Sequence, residues 1–202
     1  MALSKRTVVT GLAGVLLGAL IILGIRFITY QPEHVHYHAN FAVYINGQRE
    51  KFASPFYYQE VGGGSCDADG ITTPVERTHM HDNVNDVVHV HDHAVTWGNF
   101  FENLRWAVTD TVIKTPQNVY VADDDHPITF MVNGHEIQDI STEVIHDRDR
   151  LLVDFGATSD ATLQKEAKSV SSSAIKYDTG HDPAACNANT KPTLKDRLKH
   201  LL

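Results

Sequence analysis

Eight histidines of this chain fall into three runs with a spacing of two: His34-x-His36-x-His38, His79-x-His81 and His89-x-His91-x-His93. In an extended strand successive side chains point to opposite faces, so imidazoles at i, i+2 and i+4 stand in one row about 6 to 7 Å apart. The spacing therefore predicts strands, and three such rows in one domain can converge on a metal. Neutral imidazole is a ligand for zinc, copper, nickel and iron. For a single pair the plainer reading is a wet sheet face, with Val88 and Val90 filling the core side. Three runs together favour a transition-metal site, zinc or copper, on a β-sheet. A third reading is a histidine cluster that senses pH.

The chain opens with an apolar stretch. Residues 7–25 carry no charge, and at about 1.5 Å per residue a helix there is long enough for a bilayer core of about 30 Å. Lys5 and Arg6 precede it, which predicts a cytoplasmic N-terminus and an extracytoplasmic location for residues 31–202. A cleaved signal peptide is the rival, but no small-x-small site follows the run, so an uncleaved anchor is expected. Arg26 can snorkel to the interface, and Gly14-x-x-x-Gly18 would permit helix pairing. Cys66 and Cys186 form no CxxC pair. One disulfide between them is the simplest reading outside the cytoplasm, with thiolate ligation of a soft metal as the alternative.

Charge narrows the partners. Residues 33–157 hold 7 Lys and Arg against 20 Asp and Glu, a balance of −13 where the whole chain has −8. Such a field attracts cations and repels nucleic acid, so no nucleic-acid role is expected. The predicted partners are a metal ion and, through the N-terminal helix, a membrane.

The middle of the chain reads as one domain. Phe41–Ile45 meets Asn46-Gly47, and Ile128–Val132 meets Asn133-Gly134, both signatures of two-residue type I′ hairpins. Between them Thr96 can cap a helix whose apolar stripe is Phe100, Phe101, Leu104 and Ala107. Val144-Ile145 and then Leu151–Gly156, after the turn Asp147–Arg150, supply a buried last strand. Hairpin, helix, hairpin, strand is the order of a β-grasp. The expectation is thus an α+β fold, a β-grasp-like mixed sheet with one covering helix and an inserted His-rich hairpin, preceded by one transmembrane helix. Its parts are residues 1–30, 31–157 and a tail, 158–202, with helical segments. Within the tail Thr193 and Asp196 resemble a capping box, and Leu194, Leu198, Leu201 and Leu202 share one face of a short helix with a basic opposite side. That helix is expected either on the membrane or docked on the domain.

The inserted hairpin runs from Thr78–Asp82 to Asp86–His91. Opposed residues of an antiparallel pair share a face, so an odd loop length places its four imidazoles, and His93 just beyond them, five in all, on one side. A three-residue loop pairs His79 with His89, and a five-residue loop pairs His81 with His89. A four-residue loop would split the set.

Ser65–Gly70 with Glu76 gives a weak calcium-loop match, lacking Asp at its first position and interrupted by Pro74. Asp123–His126 reads as a solvated acidic turn. There is no Walker loop, no G-x-S-x-G elbow and no HExxH helix. The strings His34–Gly47, Arg77–Asp82, Val88–Phe101 and Val132–Gly134 together resemble a family of membrane-anchored, His-rich extracytoplasmic bacterial proteins of uncharacterised activity, candidate-lineage bacteria included. The resemblance covers roughly residues 33–157. It implies an exported, anchored, bacterial protein and carries over no functional residue.

The expected function is capture or storage of a metal by His79, His81, His89, His91 and His93 with the row His34, His36 and His38. One alternative is a metal-dependent hydrolase or hydratase on the same ligands, with Glu76 or Asp82 as base or as support for a ligand. The other is a cell-surface β-grasp interaction module whose histidine face sets pH dependence.

Overall fold

The computed structural model describes residues 4–31, 35–58, 73–156, 159–179 and 192–201. The chain divides into two units, one of Met1–Glu33 with Asn187–Leu202 and one of His34–Cys186. His34, Cys66 and Cys186, and residues 65–70 of the calcium-loop pattern, lie outside the described residues.

The first unit begins with helix α1 (Lys5–Thr29), capped by Ser4, whose hydroxyl accepts from the Thr7 N–H. It is long and apolar enough to cross a membrane.

The second unit is built on a mixed sheet. Strand β1 (Tyr37–Ile45) turns into β2 (Gln48–Arg49), and the one-turn helix α2 (Pro74–Arg77) leads to β3 (Thr78–His79) and β4 (Val87–Val90). After helix α3 (Trp97–Asn103) come three short strands, β5 (Ala107–Val108), β6 (Val112–Lys114) and β7 (Val119–Val121). Strands β8 (Ile128–Val132), β9 (His135–Ile137) and β10 (Arg150–Phe155) complete the set. The main sheet runs β3-β4-β1-β10-β8-β9, with β2 also on β1, and β5-β6-β7 form a separate small sheet. β1 and β10 pair in parallel at its centre, Asn40 opposite Arg150 through Ile45 opposite Phe155, and the other named pairings are antiparallel.

Both Asn-Gly turns form as their sequence predicts. Asn46 and Gly47 have φ of 51° and 73°, and Asn133 and Gly134 have φ of 54° and 83°. Two successive left-handed residues are what a type I′ turn needs, and the pairs Ile45–Gln48 and Val132–His135 close around them.

Strand alternation gives the sheet two buried faces. Ala39, Phe41, Val43, Val88, Val90, Phe130, Leu151 and Val153 face α3, where Trp97, Phe100, Phe101 and Leu104 meet them. Phe41 and Phe100 pack edge to face with centroids 4.9 Å apart, a favoured arrangement of ring quadrupoles. Thr96 caps α3 as expected, in a capping box with Asn99. The helix is shorter than its apolar pattern suggests. It ends at Asn103, and Arg105 turns the chain at φ 59°, so Ala107 lies exposed in β5 and Trp97 supplies the start of the stripe instead. The small sheet β5-β6-β7 was not expected either, its strands being two or three residues long.

The opposite face carries Ala42, Met131 and Leu152, and it too is covered. Helices α4 (Asp160–Ser169) and α5 (Ala174–Thr179) lie in the tail of the sequence reading, yet they pack within the His34–Cys186 unit. The reason is the apolar strip itself, against which Val170, Leu163 and Ala167 settle. Arg150 locks the end of α4, its Nε donating to the Val170 and Ser171 carbonyls at 3.1 and 3.2 Å, as cations do at helix C-termini. The last helix, α6 (Leu194–Lys199), belongs to the first unit. Its Thr193–Asp196 capping box is present.

Candidate metal centre

The register of three strands assembles the histidines. His38 on β1 is opposite His89 on β4, and His89 is opposite His79 on β3. This is the pairing of the three-residue loop, and it sets His79, His81, His89 and His91 on one face with His36 and His38. The rings touch in a continuous patch. Centroids lie 3.7 Å apart for His81 and His89, 4.3 Å for His38 and His89, 4.6 Å for the stacked His36 and His91, and 5.1 Å for His79 and His91.

The centre of this face is dry. His38, His81 and His89 are each 1% exposed, with α5 lying over His38 and His89, while His36, His79 and His91 are half-buried. The Tyr177 ring sits 5.6 Å from His38 and 5.8 Å from His89. Asn40, two residues along β1 from His38, anchors the start of α5. Its Oδ1 accepts from the Ala174 N–H at 2.9 Å and its Nδ2 donates to Ser173 Oγ at 3.0 Å.

Acceptors around the patch decide which nitrogen of each ring carries the proton. Asp178 Oδ1 lies 2.6 Å from His38 Nδ1, Asp82 Oδ2 lies 2.9 Å from His81 Nδ1, and the Val75 carbonyl lies 2.8 Å from His79 Nδ1. Carboxylates and carbonyls only accept, so in each ring Nδ1 bears the proton and, for neutral rings, Nε2 presents a lone pair. His89 Nδ1 lies 3.0 Å from both His38 Nε2 and His81 Nε2. Facing two lone pairs, it carries the proton they accept, and an ion bound at His38 Nε2 would take the place of that hydrogen bond. A carboxylate that fixes an imidazole in this way is the usual support of a metal ligand.

His36, His38 and His89 each offer a ligand nitrogen, all within 4.8 Å of one another. A tetrahedral zinc ion with bonds of about 2.0 to 2.1 Å holds its nitrogens roughly 3.4 Å apart, so small ring rotations close the set on an ion. His91 adds to the fit. Its Nε2 is buried with no hydrogen-bond partner among the described residues, a costly state for a polar atom that a cation would relieve. Burial, then the neighbouring His79, His36, His89 and His38, pushes its pKa down to about 2. Neutral rings are what a metal requires.

The charges behind the patch are paired. Burial pushes the Asp178 carboxyl up, but hydrogen bonds from Arg148 and His38 outweigh it and hold it below the ordinary carboxylate range. Arg148 Nε donates to Asp178 Oδ2 at 2.8 Å, and the Arg148 N–H donates to the His38 carbonyl at 2.7 Å. Asp147 beside them is raised, by burial first and then by the Asp178 charge.

The remaining sequence candidates are dispersed. His93 is exposed on the turn after β4, where Ala94 adopts φ 52° and redirects the chain; its N–H donates to Asp92 Oδ1 and its carbonyl accepts from Arg77. The Glu76 carboxylate accepts from the Thr73 N–H as the cap of α2. Asp82 stands behind His81. Asp123–His126 is an exposed turn held by Asp123 Oδ1. Sequence reasoning missed Tyr177, Asp178 and Arg148. Asp178 is 140 residues from His38, and the one local sign was an aromatic-acid pair on a short helix between Ser171–Ser173 and Gly180. Comparison with family models, with curated proteins and with solved structures finds no match.

Proposed function

We propose that the His34–Cys186 unit is an extracytoplasmic domain that captures or stores a transition metal, zinc or copper, and that α1 anchors it to a membrane as a single span. One observation carries this reading. His36, His38 and His89 bring ligand nitrogens within 4.8 Å of one another inside a larger histidine patch in which Nδ1 of His38, His79 and His81 each faces an acceptor. Holding is favoured over catalysis because α5 covers His38 and His89. The acidic balance of the domain adds a field that concentrates cations. We read the order β2-β1-β10-β8-β9 with α3 across one face as a β-grasp, into which the β3-β4 hairpin is inserted beside the N-terminal half of β1.

Membrane attachment is supported by the composition of α1, none of whose residues is buried within the protein. Exposed Val, Leu and Ile along 25 residues suit hydrocarbon rather than water.

The test is metal content and affinity of the full chain carrying no histidine tag, before and after His38→Ala with His89→Ala. The unaltered protein is expected to hold about one equivalent of a single metal, and the variant to lose at least about 100-fold in affinity with its circular-dichroism spectrum unchanged. Equal binding by the two would reject the site.

A further inference from the structure

We propose that α6 is an interfacial helix that binds an anionic bilayer surface beside the point where α1 leaves the membrane, giving the chain a second lipid attachment. The proposal rests on the reading of α1 as a span. Its own support is the way α6 is joined to α1. Arg197 Nη1 donates to the Phe27 and Ile28 carbonyls, the latter at 2.9 Å, and its guanidinium stands 5.8 Å over the Phe27 ring. Tyr30 stacks on His200 with centroids 4.8 Å apart.

The last carbonyls of a helix have no partner within it, and near hydrocarbon a carbonyl left without one is strongly disfavoured. Arg197 meets two of them at the end of α1. This holds α6 at the depth where Arg26 and Tyr30, residue types common at the membrane-water boundary, also lie.

With Arg197 turned toward α1, the other rows of α6 face outward. Leu194 and Leu198, one turn apart, are 70% and 60% exposed. Lys195 and Lys199, the adjacent row, are exposed as well. An apolar row beside a basic row is the pattern of a helix lying in the headgroup region, its leucines in the acyl boundary and its ammonium groups among phosphates. The acidic balance of residues 33–157 makes the domain's own surface the poorer electrostatic match for this basic row.

The experiment uses the full chain in phosphatidylcholine vesicles with and without phosphatidylglycerol. A fluorescent amino acid replaces Leu16 or Leu198, and quenching by lipids brominated at known depths is measured. The expected result is deep quenching at position 16 and shallow quenching at 198, the latter stronger with phosphatidylglycerol and reduced at least about threefold by Lys195→Glu with Lys199→Glu. Quenching at 16 with none at 198 overturns the proposal while the span stands. Quenching at neither position overturns the span and the proposal with it. Equal quenching at 198 with and without phosphatidylglycerol overturns the anionic preference.

Discussion

Three acceptors set the chemistry of the histidine patch. Asp178, Asp82 and the Val75 carbonyl each take an Nδ1 proton, which turns Nε2 of His38 and His81 to His89 Nδ1 at the centre of the patch. Asp178→Asn removes the carboxylate and is expected to weaken metal binding about 10- to 100-fold, measured by competition with a chelator. The nitrogen chemical shifts of His38 should move with it, a signature that loss of packing alone would not produce. A buried acid pair lies apart from the patch. Burial, then the neighbouring Asp154, raises the Glu166 carboxyl from 4.5 to about 7, and Asp154 itself is fully buried. A carboxyl raised in the folded state stabilises it fully below pH 4.5, and that contribution is lost as pH rises through about 7. Stability is therefore expected to fall over this window, by on the order of 2 kcal/mol. Glu166→Gln should flatten the slope in urea titrations; an unchanged slope would remove the pair from the account.

At the scale of elements, the hairpins were legible because their cause is local: Asn-Gly tolerates the left-handed φ that each turn imposes, whatever surrounds it. The parity of the inserted hairpin was legible only in part: strand alternation keeps its histidines on one face for an odd loop length, but the three-residue loop itself and the pairing of His38 with His89 come from the register of the folded strands. The end of α3 was not. Ala107 continues the 3.6-residue period, but the turn at Arg105 precedes it, and no Gly or Pro marks that turn. Helix seating was equally hidden. A Cβ on Gly98 would stand 2.7 Å from the Ser141 carbonyl oxygen and 2.8 Å from its Cα, both backbone atoms, while the Gly98 N–H donates to the Ile140 carbonyl. Gly98→Ala should push α3 off the bend at Ile140 and Ser141 and cost about 1 to 3 kcal/mol. Thermal melting checks this, and a variant as stable as the parent would show that the bend yields freely.

In the whole molecule the helices after residue 157 decide what the histidine face is. Without α4 and α5 the strip Ala42, Met131 and Leu152 and the rings of His38 and His89 would lie open to water. A chain ending at residue 157 is expected to bind a hydrophobic dye, to melt at lower temperature, and to lose at least as much metal affinity as Asp178→Asn. Melting and binding equal to the longer chain would make α4 and α5 bystanders. By itself the sequence determined the apolar N-terminal helix, the two hairpins, the capped α3 and the alternating rows of histidines, because each follows from periodicity or turn chemistry within a few residues. Only the tertiary structure decided that the rows share one face, that the centre of this face is buried, that Asp178 orients His38, that Asn40 anchors α5, and that His93 stands outside. Those outcomes depend on which surfaces far apart in the chain exclude water from one another, and burial of that kind leaves no period in the sequence to read.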